Sequence, residues 1–486
     1  MASSRPPFSD RLLGASEAQR SLARSFYESV AGLPIVSPHG HVPVELLADP
    51  EARLDPPGRL FVTGDHYVLR MLYSQGIRLE ELGLEPLEGE PAEQDDRKIW
   101  QRLADNFQLF AGTPSGLWMA GTLAQVFGVE ERLSSANAQA VYDLVAEKLR
   151  SSDFAPRALL DRFGIELLAT TDAAQSDLEL HRRLREEGWG ERVRPTFRPD
   201  AVTALGAAGW RESLEALEAV CKQDIGSCAE FVSALEGRRE RFRALGAIAT
   251  DHASESVQTE RLSKREAESI FERALRAEIT PGESERFGAH MLWEMARMSR
   301  EDGLVMQIRA GSMRDHDPEL KERFGPDIGA DIPVALDWTR GLRPLLAAYG
   351  NDSRLRLILS TLDESSCSRE LAPLAGHYPA VLLGPPWWFH DSPNGILRYL
   401  DSVTETAGFH NLAGFVDDAR NLIAIPARHD VWRRVTCAWL ASRVLFGILD
   451  EEDAARIAGE LACGLARRAY RLPERPGRSG YELLTK

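Results

Sequence analysis

The chain has 486 residues, 43% of them apolar and 27% charged, so it can bury a sizeable core and is neither disordered nor collagen-like. With 74 acidic against 58 basic side chains its net charge is −16, which speaks against nucleic acid or an anionic membrane surface as a partner. The five cysteines are scattered and form no CxxC pair, the N-terminus lacks a signal peptide's apolar core, and no apolar run reaches the roughly 18 residues of a membrane span. A cytoplasmic protein in a reducing compartment is therefore expected.

In chain order, an N-terminal segment leads into a first short apolar run, LPIVSPHGH (33–41). The stretch 42–160 is too long for one crossover helix and contains the amphipathic pattern AVYDLVAEKLR (140–150), which predicts a helical insertion. Seven further apolar runs follow, at 165–172, 193–200, 246–252, 304–311, 355–363, 380–388 and 412–420, with an enlarged crossover at 253–303 that carries the charged helix 264–278. Each run has an apolar core and a polar or glycine-rich C-terminal end, the pattern of buried parallel strands. Eight such runs alternating with helices predict an α/β fold, a distorted (β/α)8 TIM-type barrel with a large helical insertion after strand 1. An open doubly wound sheet is the alternative. The expected divisions are 1–41 (N-terminal helix and first strand), 42–160 (insertion), 161–472 (remainder of the barrel) and 473–486 (tail).

Barrel enzymes carry their chemistry at the C-terminal strand ends, and the polar residues cluster there. His39-Gly40-His41 closes the first run; alternate residues of a strand face one side, so both imidazoles can bind one divalent cation. Asp417-Asp418-Ala419-Arg420 closes the eighth run, and a closed barrel makes strands one and eight neighbours. Two imidazoles and a carboxylate would form a mononuclear site with open positions. Without the barrel, the same four residues read as a helix N-cap and a surface ion pair. Arg198 and Arg309 each end an apolar run and need an anion, from the protein or from a substrate. Trp387-Trp388 reads as a sugar-stacking platform or as core packing, and Gly64-Asp65-His66-Tyr67 as a turn within the insertion. No GxGxxG, P-loop, GxSxG or HExxH is present, which removes support for nucleotide, esterase and zincin functions.

Taken together and in order, PIVSPHGHVP (34–43), GDHYVLR (64–70), ATTD (169–172), PTFRPD (195–200), TDHA (250–253), GSMR (311–314), GPDIG (325–329), WWFHD (387–391), FVDDAR (415–420) and ARHDVWRR (427–434) resemble the uronate (glucuronate) isomerases of the amidohydrolase superfamily. The resemblance spans roughly residues 20–445. It implies a metal-assisted aldose–ketose isomerase that converts D-glucuronate to D-fructuronate and D-galacturonate to D-tagaturonate on a distorted barrel. By motif, His39, His41 and Asp418 would hold one divalent metal ion, zinc before manganese, iron or cobalt. Asp418, Tyr67 and Arg420 would be catalytic. His66, Arg198, Arg309, Trp387 and Trp388 would line the substrate site. The implied partner is a small-molecule sugar acid, with no nucleic acid or membrane, and the chain is expected to form a homo-oligomer. The family carries a histidine on the fifth strand where this sequence has Arg309. Two other readings are a hydrolase or hydratase acting on another sugar-derived anion, and a binding relative without metal.

Overall fold

The computed structural model describes residues 10–473. Its strands are β1 (Ile35–Ser37), β2 (Ile165–Ala169), β3 (Asp172–Ala173), β4 (Val193–Arg194), β5 (Phe197–Arg198), β6 (Ala249–Ser254), β7 (Val305–Ala310), β8 (Ser312–Met313), β9 (Ile332–Pro333), β10 (Leu357–Thr361) and β11 (Val381–Leu383). Parallel pairing runs in the order β1-β2-β4 and β3-β5-β6-β7-β10-β11, while β8 and β9 form a small antiparallel ribbon. The two parallel sheets are one surface. Where the second and third runs bend, pairing continues through Thr170 N–H to Arg194 O and Asp172 N–H to Thr196 O, each at 3.0 Å. The architecture is a distorted (β/α)8 barrel.

The eighth run does not form the predicted strand. Residues 412–420 make one bridge, Leu412 to Leu383, and close the barrel through single bonds: Ala413 N–H to Leu383 O at 2.7 Å and His41 N–H to Ala419 O at 2.9 Å. Two left-handed residues explain the loss of the ladder, Gly414 at φ +83° and Asp418 at φ +48°. Only glycine fits at 414, because a Cβ there would stand 2.6 Å from the Ala466 backbone nitrogen. The first run is also shorter than predicted. His39 and His41 lie beyond β1, in irregular backbone.

Between β1 and β2 every regular element is helical, including helices Asp96–Asp105, Pro114–Gln125 and Ala138–Arg150. Their apolar faces form a core of their own around Phe61, Trp100 and Phe127, which reaches the barrel wall at Ile35, Ile165 and Leu168. A second, larger core lies between the outer helices and β7, β10 and β11. The crossover helix Pro281–Asp302 shows how local sequence sets its bounds. Thr280 and Glu283 form a capping box, Pro281 sits in the first turn, and left-handed Gly303 stops it.

The lumen is closed from below by the segment after the last strand. Tyr470 is buried among Ala249, Val305, Ile358 and Ala413, and its hydroxyl donates to Gln307 Oε1 at 2.7 Å. Cys463 and Ala466 pack on Val36 and Leu167. None of the five cysteines forms a disulfide among the described residues, and only Cys221 is partly exposed. No described helix is long and apolar enough to cross a membrane. Of the expected tail at 473–486, all but Pro473 lies outside the described residues.

Candidate active site

At the upper end of the barrel His39, His41 and Asp418 converge. Backbone contacts set this up: Gly40 passes 3.3 Å (as measured from the position of an added Cβ) from Ala419 O, and its own carbonyl accepts the Thr171 hydroxyl at 2.9 Å. The Nε2 atoms of His39 and His41 each stand 3.2 Å from Asp418 Oδ1. The second oxygen, Oδ2, accepts from the Trp387 indole N–H at 2.7 Å and from Arg309 Nη1 at 3.3 Å. Arg309 also donates to Asp251 at 2.9 and 3.4 Å and lies over the Trp387 ring.

The donor set fits a divalent metal. One ligand atom from each of His39, His41 and Asp418 lies within 4.8 Å of the others. Both His39 nitrogens and Asp418 Oδ1 are buried with no hydrogen-bond partner among the described residues, a cost of about 1–3 kcal/mol for each group that a cation would remove. The protonation states suit ligation. Burial pushes the His41 imidazole down to about 4, so it stays neutral. Burial would raise the Asp418 carboxyl, but Arg309 and the two imidazoles hold it well below the usual carboxylate range. Arg309 itself cannot ligate, since guanidinium remains protonated.

A second cluster faces the first across the same cavity. Asp65 caps the helix His66–Tyr73, its Oδ1 accepting from the Tyr67 and Val68 amides at 2.9 and 3.2 Å. The segment read as a turn therefore starts a helix, and that start carries His66 and Tyr67 into the cavity beside His41 and Asp418. Left-handed Gly329 lets His66 in: a Cβ at 329 would lie 2.8 Å from the His66 Cβ. The Tyr67 hydroxyl donates to Asp391 Oδ2 at 3.4 Å, and Arg428 Nη1 donates to the same oxygen at 3.1 Å. Burial, then Asp391, pushes the Tyr67 phenol well above its ordinary value.

The remaining predicted residues divide. Trp387 and Trp388 line the cavity, Trp388 edge-on to Tyr67 and strained at φ +47°. Arg420 lines it too, with its Nη2 3.2 Å from Asp327. Arg198 does not line it; it pairs with Asp200 at 2.8 Å and Asp251 at 3.6 Å, behind Arg309. The site also holds Asp391, Arg428 and Arg314, to which the sequence reading attached no role. Arg428 shares the helix Ile425–Leu445 with Asp430, Arg433, Arg434 and Arg443, and its burial at the cavity is what sets it apart.

Fold and site together define an α/β-barrel enzyme that combines two imidazoles and a carboxylate at the C-terminal end of the barrel with a tyrosine delivered by the helical insertion. The family model for glucuronate isomerase matches residues 12–466, and the chain belongs to that family. It is 55% identical over 463 residues to a uronate isomerase from Nostoc punctiforme, covering 95% of this chain and 98% of that one. Among solved structures it resembles glucuronate isomerase from Caulobacter crescentus, with TM-score 0.94 and 44% identity over 97% of this chain and 98% of that one. It also resembles uronate isomerase from Thermotoga maritima, with TM-score 0.89 and 27% identity over 96% of this chain and 100% of that one.

Proposed function

We propose that the protein is an aldose–ketose isomerase of hexuronates, converting D-glucuronate to D-fructuronate and D-galacturonate to D-tagaturonate through an enediolate. The observation that carries this is the His39–His41–Asp418 cluster facing Tyr67 and Arg420 across one cavity. His39, His41 and Asp418 hold one divalent metal, zinc before manganese, iron or cobalt, which when bound supplies Lewis-acid stabilisation to the sugar oxygens.

The chain's own groups do the rest. Asp418, ionised and fixed through Oδ2 by Trp387 and Arg309, takes the C2 proton and returns it to C1. Tyr67 carries the hydroxyl proton from O2 to O1. Arg420 and His66 face the sugar acid from the cavity wall, Arg420 with charge to hold a carboxylate, and Trp387 and Trp388 present aromatic surface to it. Arg198 pairs with Asp200 and Asp251, while Arg309 bridges Asp251 and Asp418 and also lines the cavity, where it can meet an anionic substrate. Close relatives named uronate isomerase favour this reading over hydrolysis or hydration of another anion.

Incubation of metal-loaded protein with each hexuronate, following loss of the aldehyde form and appearance of the ketose, tests the proposal. Turnover of at least one is expected. Turnover of neither by protein that retains metal overturns the substrate assignment, and failure to retain metal after reconstitution overturns the metal centre.

A further inference from the structure

Tyr67 stands between the cavity and a buried carboxyl that the reaction above does not use. Asp391 is 5% exposed. Its Oδ2 takes the long bond from the Tyr67 hydroxyl and one bond from Arg428, while Oδ1 has no hydrogen-bond partner among the described residues. Arg428 gives Asp391 less than a bidentate pair would. The same Nη1 also donates to the Asp417 carbonyl at 3.0 Å, and the guanidinium lies 3.9 Å from the centre of the Trp118 ring. The loop that carries Asp391 begins at Trp387, which holds Asp418, so one short segment touches both halves of the site.

The aldose–ketose step needs a group at Tyr67 that can lend a proton and take it back. Resting on the isomerase reading, we infer that Asp391 is a positioning residue that holds the proton Tyr67 exchanges with the sugar. As the C2–H bond breaks and its proton goes to Asp418, the Tyr67 hydroxyl turns from Asp391 Oδ2 to give its proton to O1, and the protonated Asp391 carboxyl donates its own proton to the phenolate oxygen. As the enediol collapses to the ketose, the O2–H bond breaks toward Tyr67, Asp391 recovers its proton, and Asp418 returns the first proton to C1. No proton is gained or lost overall, and no oxidant is needed.

The surroundings support a proton on Asp391 near neutrality. Tyr67 faces it from the helix His66–Tyr73, Arg428 from the helix Ile425–Leu445, Asp418 from the closing segment, and Arg309 from β7 lines the same small interior space. Burial raises the carboxyl, Arg428 opposes this and Asp418 adds to it, and the balance lies at about 7. A donor with that value is matched to the exchange of protons at neutral pH.

Two measurements test the inference, and the first needs no turnover. Infrared difference spectra of protein with isotope-labelled aspartate carboxyls, recorded from acid to alkaline pH, are expected to show a protonated-carboxyl band that titrates near neutrality. The band should be lost in Asp391→Asn and shifted in its titration in Tyr67→Phe. A carboxylate at every pH, or a titration indifferent to Tyr67→Phe, overturns the inference whether or not uronates are substrates. The second is the pH dependence of kcat and KM. Asp391→Asn is expected to lower kcat by about 10²-fold or more, with KM within about twofold, and to remove the limb near neutrality. In the Tyr67→Phe background the same change is expected to add no further loss. Independent, additive losses or an unchanged profile overturn the inference. Asp391→Glu, which keeps the carboxyl, is expected to restore part of kcat, whereas a purely structural role gives no such rescue. Absence of turnover in the unmodified protein overturns the isomerase reading alone, because the infrared titration still decides on Asp391.

Discussion

Arg309 shows how one side chain serves two anions. Asp251 is fully buried, and although burial would raise its carboxyl, Arg309, His39 and Arg198 hold it well below the usual range. Removing the guanidinium leaves a buried charge without its main partner, so Arg309→Met is expected to cost about 3–5 kcal/mol in urea unfolding. Adding Asp251→Asn to that variant is expected to recover part of the loss, since the uncompensated charge goes with it. His252 acts in the opposite sense. Burial pushes it down to about 3, so the folded protein keeps it neutral while the unfolded chain protonates from the ordinary 6.5. Its contribution is complete above pH 6.5 and is lost as pH falls toward 3, because there the unfolded state binds the extra proton. His252→Gln is expected to flatten the slope of stability against pH in that window, measured as Tm at successive pH values.

Among the elements, the helix His66–Tyr73 matters most, because its first turn delivers two site residues. Its cap is a carboxylate that accepts two amides, so Asp65→Ala is expected to cost about 1 kcal/mol and to lower kcat by displacing Tyr67. Asp65→Asn keeps a good capping side chain and is expected to retain most of both, which thermal melts and steady-state kinetics would check. The strands were the most legible elements: the runs 304–311 and 355–363 became β7 and β10 almost as read, because buried parallel strands carry their own apolar signature. The run 412–420 looked equally apolar and made no ladder. Its conformation depends on Ala466 crowding Gly414, a contact between segments far apart in sequence. The site divides the same way. His39, His41 and Asp418 could be singled out because each closes an apolar run, even though neither run stays a strand as far as those residues. Asp391 and Arg428 could not, since Asp391 meets Tyr67 across 324 residues and Arg428 lies in a helix where Asp430, Arg433 and Arg434 are equally charged in sequence. Arg198 ends its run as a site arginine would, but the carboxylates that claim it, Asp200 and Asp251, come from its own loop and from the adjacent strand.

Over the whole molecule, the barrel is sealed at one end by Tyr470 and open to chemistry at the other, and β7 joins the two through Gln307 and Arg309. Tyr470→Phe removes one hydrogen bond and is expected to cost about 1 kcal/mol. Tyr470→Ala leaves a cavity as well and is expected to cost about 3–5 kcal/mol. Urea midpoints at constant m-value would separate the two effects.

The same plug gives the protein an order of assembly. Every described strand precedes it in the chain, so a ribosome finishes β11 well before Tyr470 exists. At about 5–20 residues per second the interval lasts on the order of ten seconds, during which the lumen face of Ala249, Val305 and Ile358 has no floor. A nascent barrel in that interval is a sticky, half-finished vessel that a chaperone would recognise, and the arrival of the stopper ends its exposure.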